Sequence, residues 1–366
     1  MAKSIKVFGA ALDPSDSETK IMIKQAHLDT IANRTPEKSK YADPYDAFIA
    51  ESKVLMQSKF QKIGKFPIES WLCPKPAIDD DIFMSPLNFR LFLDKNGCQE
   101  YAQDLEKYIA QNVLPDIPLM IGADHSLTGG VLRALSRKYG AANISVIVFD
   151  GHFDAIPTNL RLALASYSKE HKDELAIPFP EFIDSIDERT EIPLSYNCGT
   201  FLQHLIQETV ILPQNLILFG CVDYPNAELK AIPDPRVQSF IDFYLAYEKK
   251  GTKIIPNFKD NAKIQLAFKK ALDSINTPYL YISMDVDVGS LNEILAARFM
   301  EFIGVDSACL NNAADSLKAY LHPKKGHLIG LDIMEVEVFY LNAKLKSGKV
   351  DHTLEIMDNL LDKIFT

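Results

Sequence analysis

No stretch of the 366 residues approaches the ~20 consecutive apolar residues that cross a bilayer. The opening Met1-Ala2-Lys3-Ser4-Ile5-Lys6-Val7-Phe8 lacks the long apolar segment of a secretory signal and reads as a first strand, so a cytoplasmic location is the expectation. The five cysteines (Cys73, Cys98, Cys198, Cys221, Cys309) are odd in number and form no CxxC pair, which excludes a disulfide scaffold. Positive charge is in deficit, 39 Lys and Arg against 49 Asp and Glu, for a net charge of −10. Such a surface disfavours nucleic acid and tolerates small cations. Common catalytic devices are missing too: there is no Walker loop, no GxGxxG fingerprint, no HExxH zinc helix and no GxSxG elbow. Internal repeats and low-complexity segments are also lacking. The glycosylation patterns at Asn33-Arg34-Thr35 and Asn143-Ile144-Ser145 would go unused in a cytoplasmic chain.

What is present is an ordinary globular composition, 47% apolar and 24% charged, on a chain long enough for a large core. Buried strands are predicted at Ile5–Leu12, Ile117–Gly122, Ile144–Asp150, Leu216–Val222, Tyr279–Asp287 and Leu328–Val336, with a weaker one at Lys253–Ile255. Helical periodicity falls between them, at Gln99–Val113, Thr128–Tyr139, Pro235–Lys249, Asn261–Ile275 and Asp306–Leu321, and Asp351–Ile364 closes the chain. Near-continuous apolar strands alternating with helices imply a parallel sheet covered on both faces. Two regions depart from this pattern. Residues 13–98 hold helical stretches (Lys20–Ala32, Tyr45–Lys59) and the acidic segment Pro74–Pro86. Residues 155–197 form a long excursion with one helix, Asn159–Lys172, followed by Ile177–Pro180 and the acidic Glu181–Glu191. Loops of that length carry function or simply decorate the fold.

Chemistry concentrates where the apolar runs end. Asp150-Gly151-His152-Phe153-Asp154 follows Ile144–Phe149, and Ser283-Met284-Asp285-Val286-Asp287 follows Pro278–Ile282. Ligands of open parallel sheets gather outside the carboxyl ends of the strands. Carboxylates delivered there repel one another unless a cation sits among them, so the residues predict metal binding by more than one ion. Gly122-Ala123-Asp124-His125-Ser126 aims a third segment at the same crevice, and Gly330-Leu331-Asp332-Ile333-Met334-Glu335 a fourth.

Together and in this order, the four segments resemble the ureohydrolase family, which includes arginase, agmatinase and formimidoylglutamase. That family carries Gly-Gly-Asp-His-Ser, Asp-Ala-His-x-Asp, Ser-x-Asp-x-Asp and Gly-Leu-Asp-x-x-Glu, and the resemblance covers roughly residues 115–340. It implies an α/β fold, a three-layer αβα sandwich on a single mainly parallel sheet. Residues 1–366 would form one unit with a divergent region at about 13–98 and an insertion at about 155–197. Two manganese ions are implied, His125 and Asp154 completing one site, His152 and Asp287 the other, with Asp150 and Asp285 bridging. Nitrogen and oxygen ligands without thiolate suit manganese. A water or hydroxide held between the ions would attack an amidine or guanidinium carbon and expel an amine, with urea as product from a guanidine. Glu335 matches the residue that pairs with a guanidinium, while Asp124, Ser126, Ser283 and Asp332 would orient ligands. A small cationic substrate and assembly into trimers or hexamers are implied as well.

Departures from the family pattern bear on activity. Cys198, within Ser195-Tyr196-Asn197-Cys198-Gly199-Thr200-Phe201, occupies the position of a proton-shuttling histidine, and His204 is a possible substitute. The Asp-Pro that normally follows the second run is replaced by Val288-Gly289-Ser290-Leu291, so that loop is rebuilt, and the last motif ends Glu335-Val336-Glu337-Val338. Three functions therefore stand: a hydrolase of amidines or guanidines, a hydrolase of a formimidoyl or amide group, and a metal-loaded binding or regulatory protein that has lost turnover.

Overall fold

The structure is a computed structural model and describes residues 4–36, 39–171, 194–300, 302–322, 328–346 and 348–365. Eight strands are built from the apolar runs: β1 (Ile5–Ala10), β2 (Phe60–Lys65), β3 (Ile117–Gly122), β4 (Ile144–Phe149), β5 (Leu216–Cys221), β6 (Lys253–Pro256), β7 (Tyr279–Asp285) and β8 (Leu328–Met334). They form one sheet in the order β2-β1-β3-β8-β7-β4-β5-β6, and all pairings between them are parallel. Every residue of β4 and β5 is buried, as expected of strands covered on both faces.

Alternation along the strands divides the core in two. On one face Val146, Val148, Leu216 and Leu218 pack with α4 (Gly97–Tyr108), α5 (Thr128–Tyr139) and α9 (Pro235–Lys249). On the other, Ile147, Phe149, Ile217 and Phe219 pack with α10 (Asn261–Asp273), α11 (Ser307–Leu321) and α12 (Thr353–Phe365). The remaining α-helices among the described residues are α1 (Glu18–Ala32), α2 (Pro44–Glu51), α3 (Pro86–Asp94), α6 (Thr158–Glu170), α7 (Phe201–Gln207) and α8 (Ala227–Lys230). The α/β sandwich expected from the sequence is thus present, with helices on both sides of a parallel sheet.

Three local expectations need correction. The helix expected over Tyr45–Lys59 stops at Glu51, because the Asp358 carboxylate captures the Ser52 hydroxyl and the N–H groups of Lys53 and Val54. The strand that follows, β2, was not expected: it is an edge strand with only Phe60 buried, so it carries no apolar run. The helix expected over Gln99–Val113 is regular only to Tyr108 and then widens into a π turn over Ile109–Val113. Ile177–Pro180 and Glu181–Glu191 lie outside the described residues.

Sheet order fixes where a site can form. Strands β3 and β4 are separated by β8 and β7, so the chain reverses its direction across the sheet here, and a crevice opens at the carboxyl ends of these four strands. Register brings their tips level: Phe149 pairs with Met284, Asp285 with Met334, and Ile121 with Ile333.

Candidate metal centre

Each of the four central strands ends in a polar side chain that the fold then buries. His125 follows β3 on a short 3-10 turn whose preceding Asp124 accepts the Ser126 N–H at 3.0 Å. Asp150 and His152 follow β4. Gly151 separates them, and its N–H donates to Asp287 Oδ1 at 2.9 Å. A side chain at Gly151 would place its Cβ 1.9 Å from the Phe302 ring, so only glycine allows this approach. Asp285 ends β7, and Asp287 sits one 3-10 turn beyond, with its N–H donated to Asp285 Oδ1 at 2.8 Å.

Two groups of ligand atoms result, each within 4.8 Å mutual distance: His125, Asp150, Asp154 and Asp285 in one, and Asp150, His152 and Asp287 in the other. In the first, His125 Nδ1 lies 3.0 Å from Asp154 Oδ2, 3.2 Å from Asp285 Oδ2 and 3.3 Å from Asp150 Oδ2. One ring nitrogen carries at most one proton and cannot satisfy three carboxylates, whereas a cation among them satisfies all four groups. In the second, His152 Nδ1 lies 2.9 Å from Asp287 Oδ2 and 3.8 Å from Asp150 Oδ1. Asp150 therefore turns one oxygen to each group, while Asp285 turns its Oδ2 to the first group only. Asp150 Oδ2 and Asp287 Oδ2 are buried and, among the described residues, face imidazole nitrogens without an aligned hydrogen bond. Buried carboxylate oxygens so placed are what a cation would satisfy.

Electrostatics agree with the geometry. Burial and the neighbouring Asp154, Asp285 and Asp287 push the Asp150 carboxyl far above the usual range, and burial with Asp287 pushes Asp285 up to about 8. Burial acts to lower the pKa of His125, but the carboxylates of Asp150, Asp154 and Asp285 outweigh it and raise it well above an ordinary imidazole. Without a cation the site thus holds protons against its own charge.

A polar chain fixes the His125 ring from behind. His125 Nε2 meets Ser283 Oγ at 2.8 Å, Ser283 donates to Asp332 Oδ1 at 2.6 Å, and Thr128 donates to Asp332 Oδ2 at 2.7 Å. Phe201 lies against His125 and Phe302 against His152, with ring centroids 4.8 and 4.9 Å apart.

Cys198 and Glu335 also come to this end of the sheet. With Asp124 they form a third group within 4.8 Å mutual distance. The Ser195–Thr200 turn is anchored by the Tyr196 hydroxyl, which donates to Ser126 O at 2.6 Å, so Cys198 is carried next to the His125 group. Burial, Asp124, Glu335 and Asp154 hold the Cys198 thiol well above its ordinary pKa. His204 is not brought in; its ring packs edge-on against Tyr196, and burial with Arg133 lowers its pKa. Glu335 adopts a left-handed backbone conformation (φ 60°) that non-glycine residues seldom take, and its Oε1 accepts the His125 N–H at 2.7 Å.

Three residues here escaped the sequence reading. Arg298 lies in the rebuilt loop, and its Nη1 donates to Ala123 O, Asp124 Oδ2 and Glu335 Oε2 at 2.7, 3.2 and 3.1 Å. Asp13, just beyond β1, faces Arg298 Nη2 at 2.7 Å. Asp223, just beyond β5, accepts the Phe153 N–H at 3.2 Å and so fixes the loop between His152 and Asp154. The last two obey the rule of acid after an apolar strand. Arg298 could have been noticed as a lone charge inside the apolar run Leu295–Phe299.

A family model described as the arginase family matches residues 39–357. The arginase of Staphylococcus aureus (strain MRSA252) is 26% identical over 218 residues, 57% of this chain, and the match spans 60% of that protein's length. Among solved structures, the proclavaminate amidino hydrolase of Streptomyces clavuligerus superposes with a TM-score of 0.56 at 15% identity, covering 99% of this chain and 92% of the other. An arginase from Bacillus cereus gives 0.55 at 14%, covering 99% and 98%. A Trypanosoma cruzi formiminoglutamase with Mn2+2 gives 0.55 at 11%, covering 99% and 92%.

Proposed function

The chain belongs to the arginase family, and from that premise we propose that it is a hydrolase dependent on two divalent cations, cleaving a C–N bond in a linear amidino or guanidino compound. The observation that carries this reading is Asp150, a buried carboxylate with one oxygen turned to each of two His/Asp groups. His125, Asp150, Asp154 and Asp285 would hold one ion, and Asp150, His152 and Asp287 the other. Nitrogen and oxygen donors without thiolate fit manganese, and the Trypanosoma cruzi relative carries that metal. When bound, such ions lower the pKa of water from ~15.7 to about 7, supplying a nucleophile at neutral pH.

The chain's own residues do the rest. Ser283 and Asp332 hold the His125 ring with Nδ1 facing the carboxylates. Cys198, its pKa raised by burial and nearby acids, keeps its proton at Sγ near neutral pH, beside Asp124 and Glu335. Glu335 braces the His125 backbone. Residues 1–366 would act as one arginase-like unit in a cytoplasmic homo-oligomer.

The test is a product assay on manganese-loaded protein across guanidino and formimidoyl compounds, with Cys198→His in parallel. Urea release identifies a guanidine substrate, whereas ammonia or formamide identifies a formimidoyl one. Metal uptake with no turnover of any compound, in wild type and variant alike, would contradict a hydrolase.

A further inference from the structure

Beside the His125 group the fold builds a cradle for a planar cation and fills it from its own chain. Asp13, Asp124, Glu335 and the Ala123 carbonyl surround the Arg298 guanidinium, all within 3.2 Å of its terminal nitrogens. Arg298 is buried, and so are all four residues around it. The loop that delivers it is itself built in. The Arg298 N–H donates to Glu335 O at 2.8 Å, Glu337 N–H donates to Ala296 O at 2.9 Å, and Ala297 bridges Val336. Asp351 accepts the Leu295 and Ala296 N–H groups at 2.8 and 3.1 Å. The side chain is therefore held in place by backbone on both sides.

Charge leaves little for a second cation. Lys24 lies 3.3 Å from Asp13, so three carboxylates already face two basic groups. A guanidinium bound at Glu335 would have to displace Arg298 from the Glu335 carboxylate and place a third cation beside Arg298 and Lys24. Guanidines present nitrogen on all three sides of the reacting carbon, whereas a formimidoyl amidine presents nitrogen on two and hydrogen on the third. With Glu335 engaged, the second kind needs one acceptor fewer.

We propose that Arg298 is a specificity-determining residue: it occupies the site's guanidinium seat and so selects formimidoyl-type amidines over guanidino compounds. This rests on the hydrolase reading above and narrows its substrate class. It is tested with manganese-loaded wild type, Arg298→Ala and Arg298→Lys, using methylguanidinium chloride as probe and potassium chloride as control, read by calorimetry and thermal shift. Wild type and Arg298→Lys should show no saturable binding. Arg298→Ala should bind methylguanidinium at least about tenfold more tightly than wild type, as expected for regained charge-assisted hydrogen bonds, and be stabilised by it. Methylguanidinium binding to wild type as tight as to Arg298→Ala would overturn the proposal. Should the alanine variant fail to fold, wild type decides: preference for an N-formimidoyl compound over agmatine by about tenfold or more in kcat/KM supports the assignment, and equal or better use of agmatine refutes it. Failure of the hydrolase reading would look different, as absent manganese uptake or no turnover of any compound, while methylguanidinium binding would still report on the seat.

Discussion

Replacing Asp285 with asparagine should raise the stability of the metal-free protein and remove much of the stabilisation that metal gives. The carboxyl is pushed up to about 8 by burial and Asp287, whereas an unfolded Asp titrates near ~3.9. A folded-state pKa above the unfolded one means that the native protein holds this proton more tightly. The group then costs nothing at pH 4, and its cost grows as pH rises, reaching full size near pH 8. At pH 7, three pH units above the unfolded value at roughly 1.36 kcal/mol each come to about 4 kcal/mol. Asparagine removes that cost and keeps an oxygen for the Asp287 N–H now bonded at 2.8 Å. At about 1–2 °C per kcal/mol for a chain of this size, metal-free Asp285→Asn should melt about 4–8 °C above metal-free wild type at pH 7, with the gap closing toward pH 4. Manganese should narrow that gap by more than half, because wild type gains about 2.7 kcal/mol at a hundredfold excess over its dissociation constant while the variant has lost a ligand. Thermal melts in chelator and in manganese between pH 5 and 8 would read both effects. A variant that melts lower than wild type in chelator, or keeps the full metal-induced rise, would refute the reasoning.

Ser283→Ala removes the hydroxyl between His125 Nε2 and Asp332, and should weaken metal binding about 10- to 100-fold in equilibrium dialysis while leaving the fold intact by circular dichroism. Asp351→Ala leaves the N–H groups of Leu295 and Asn342 without their acceptor and Ala296 with only the Thr353 hydroxyl at 3.4 Å, and should lower stability by about 3 kcal/mol in urea unfolding.

How much of this was legible in the sequence depended on where the partners lie. Strands β4 and β7 announced themselves because burial on both faces demands unbroken apolar runs, and the acids that terminate them inherit a position in the crevice. His125, Asp150, His152, Asp154, Asp285 and Asp287 could thus be picked out as one collection before any coordinates. Asp150 and Asp285 were both expected to bridge; in the structure Asp150 has one oxygen near each histidine, and the Asp285 Oδ2 lies near His125. Strand β2 was invisible since an edge strand needs little apolar content. Arg298 was missed for a different reason. Its partners come from residues 13, 124 and 335, three segments far apart in the chain, and no local pattern encodes such a meeting. Cys198 was flagged only by its place in a motif, whereas its raised pKa arises from acids delivered by other segments.

The most direct measurement is anomalous scattering from crystals grown with manganese chloride. Two manganese peaks per chain are expected, one among His125, Asp150, Asp154 and Asp285, the other among Asp150, His152 and Asp287, with Asp150 contacting both. A single peak, none, or peaks away from Asp150 would contradict the two-ion reading.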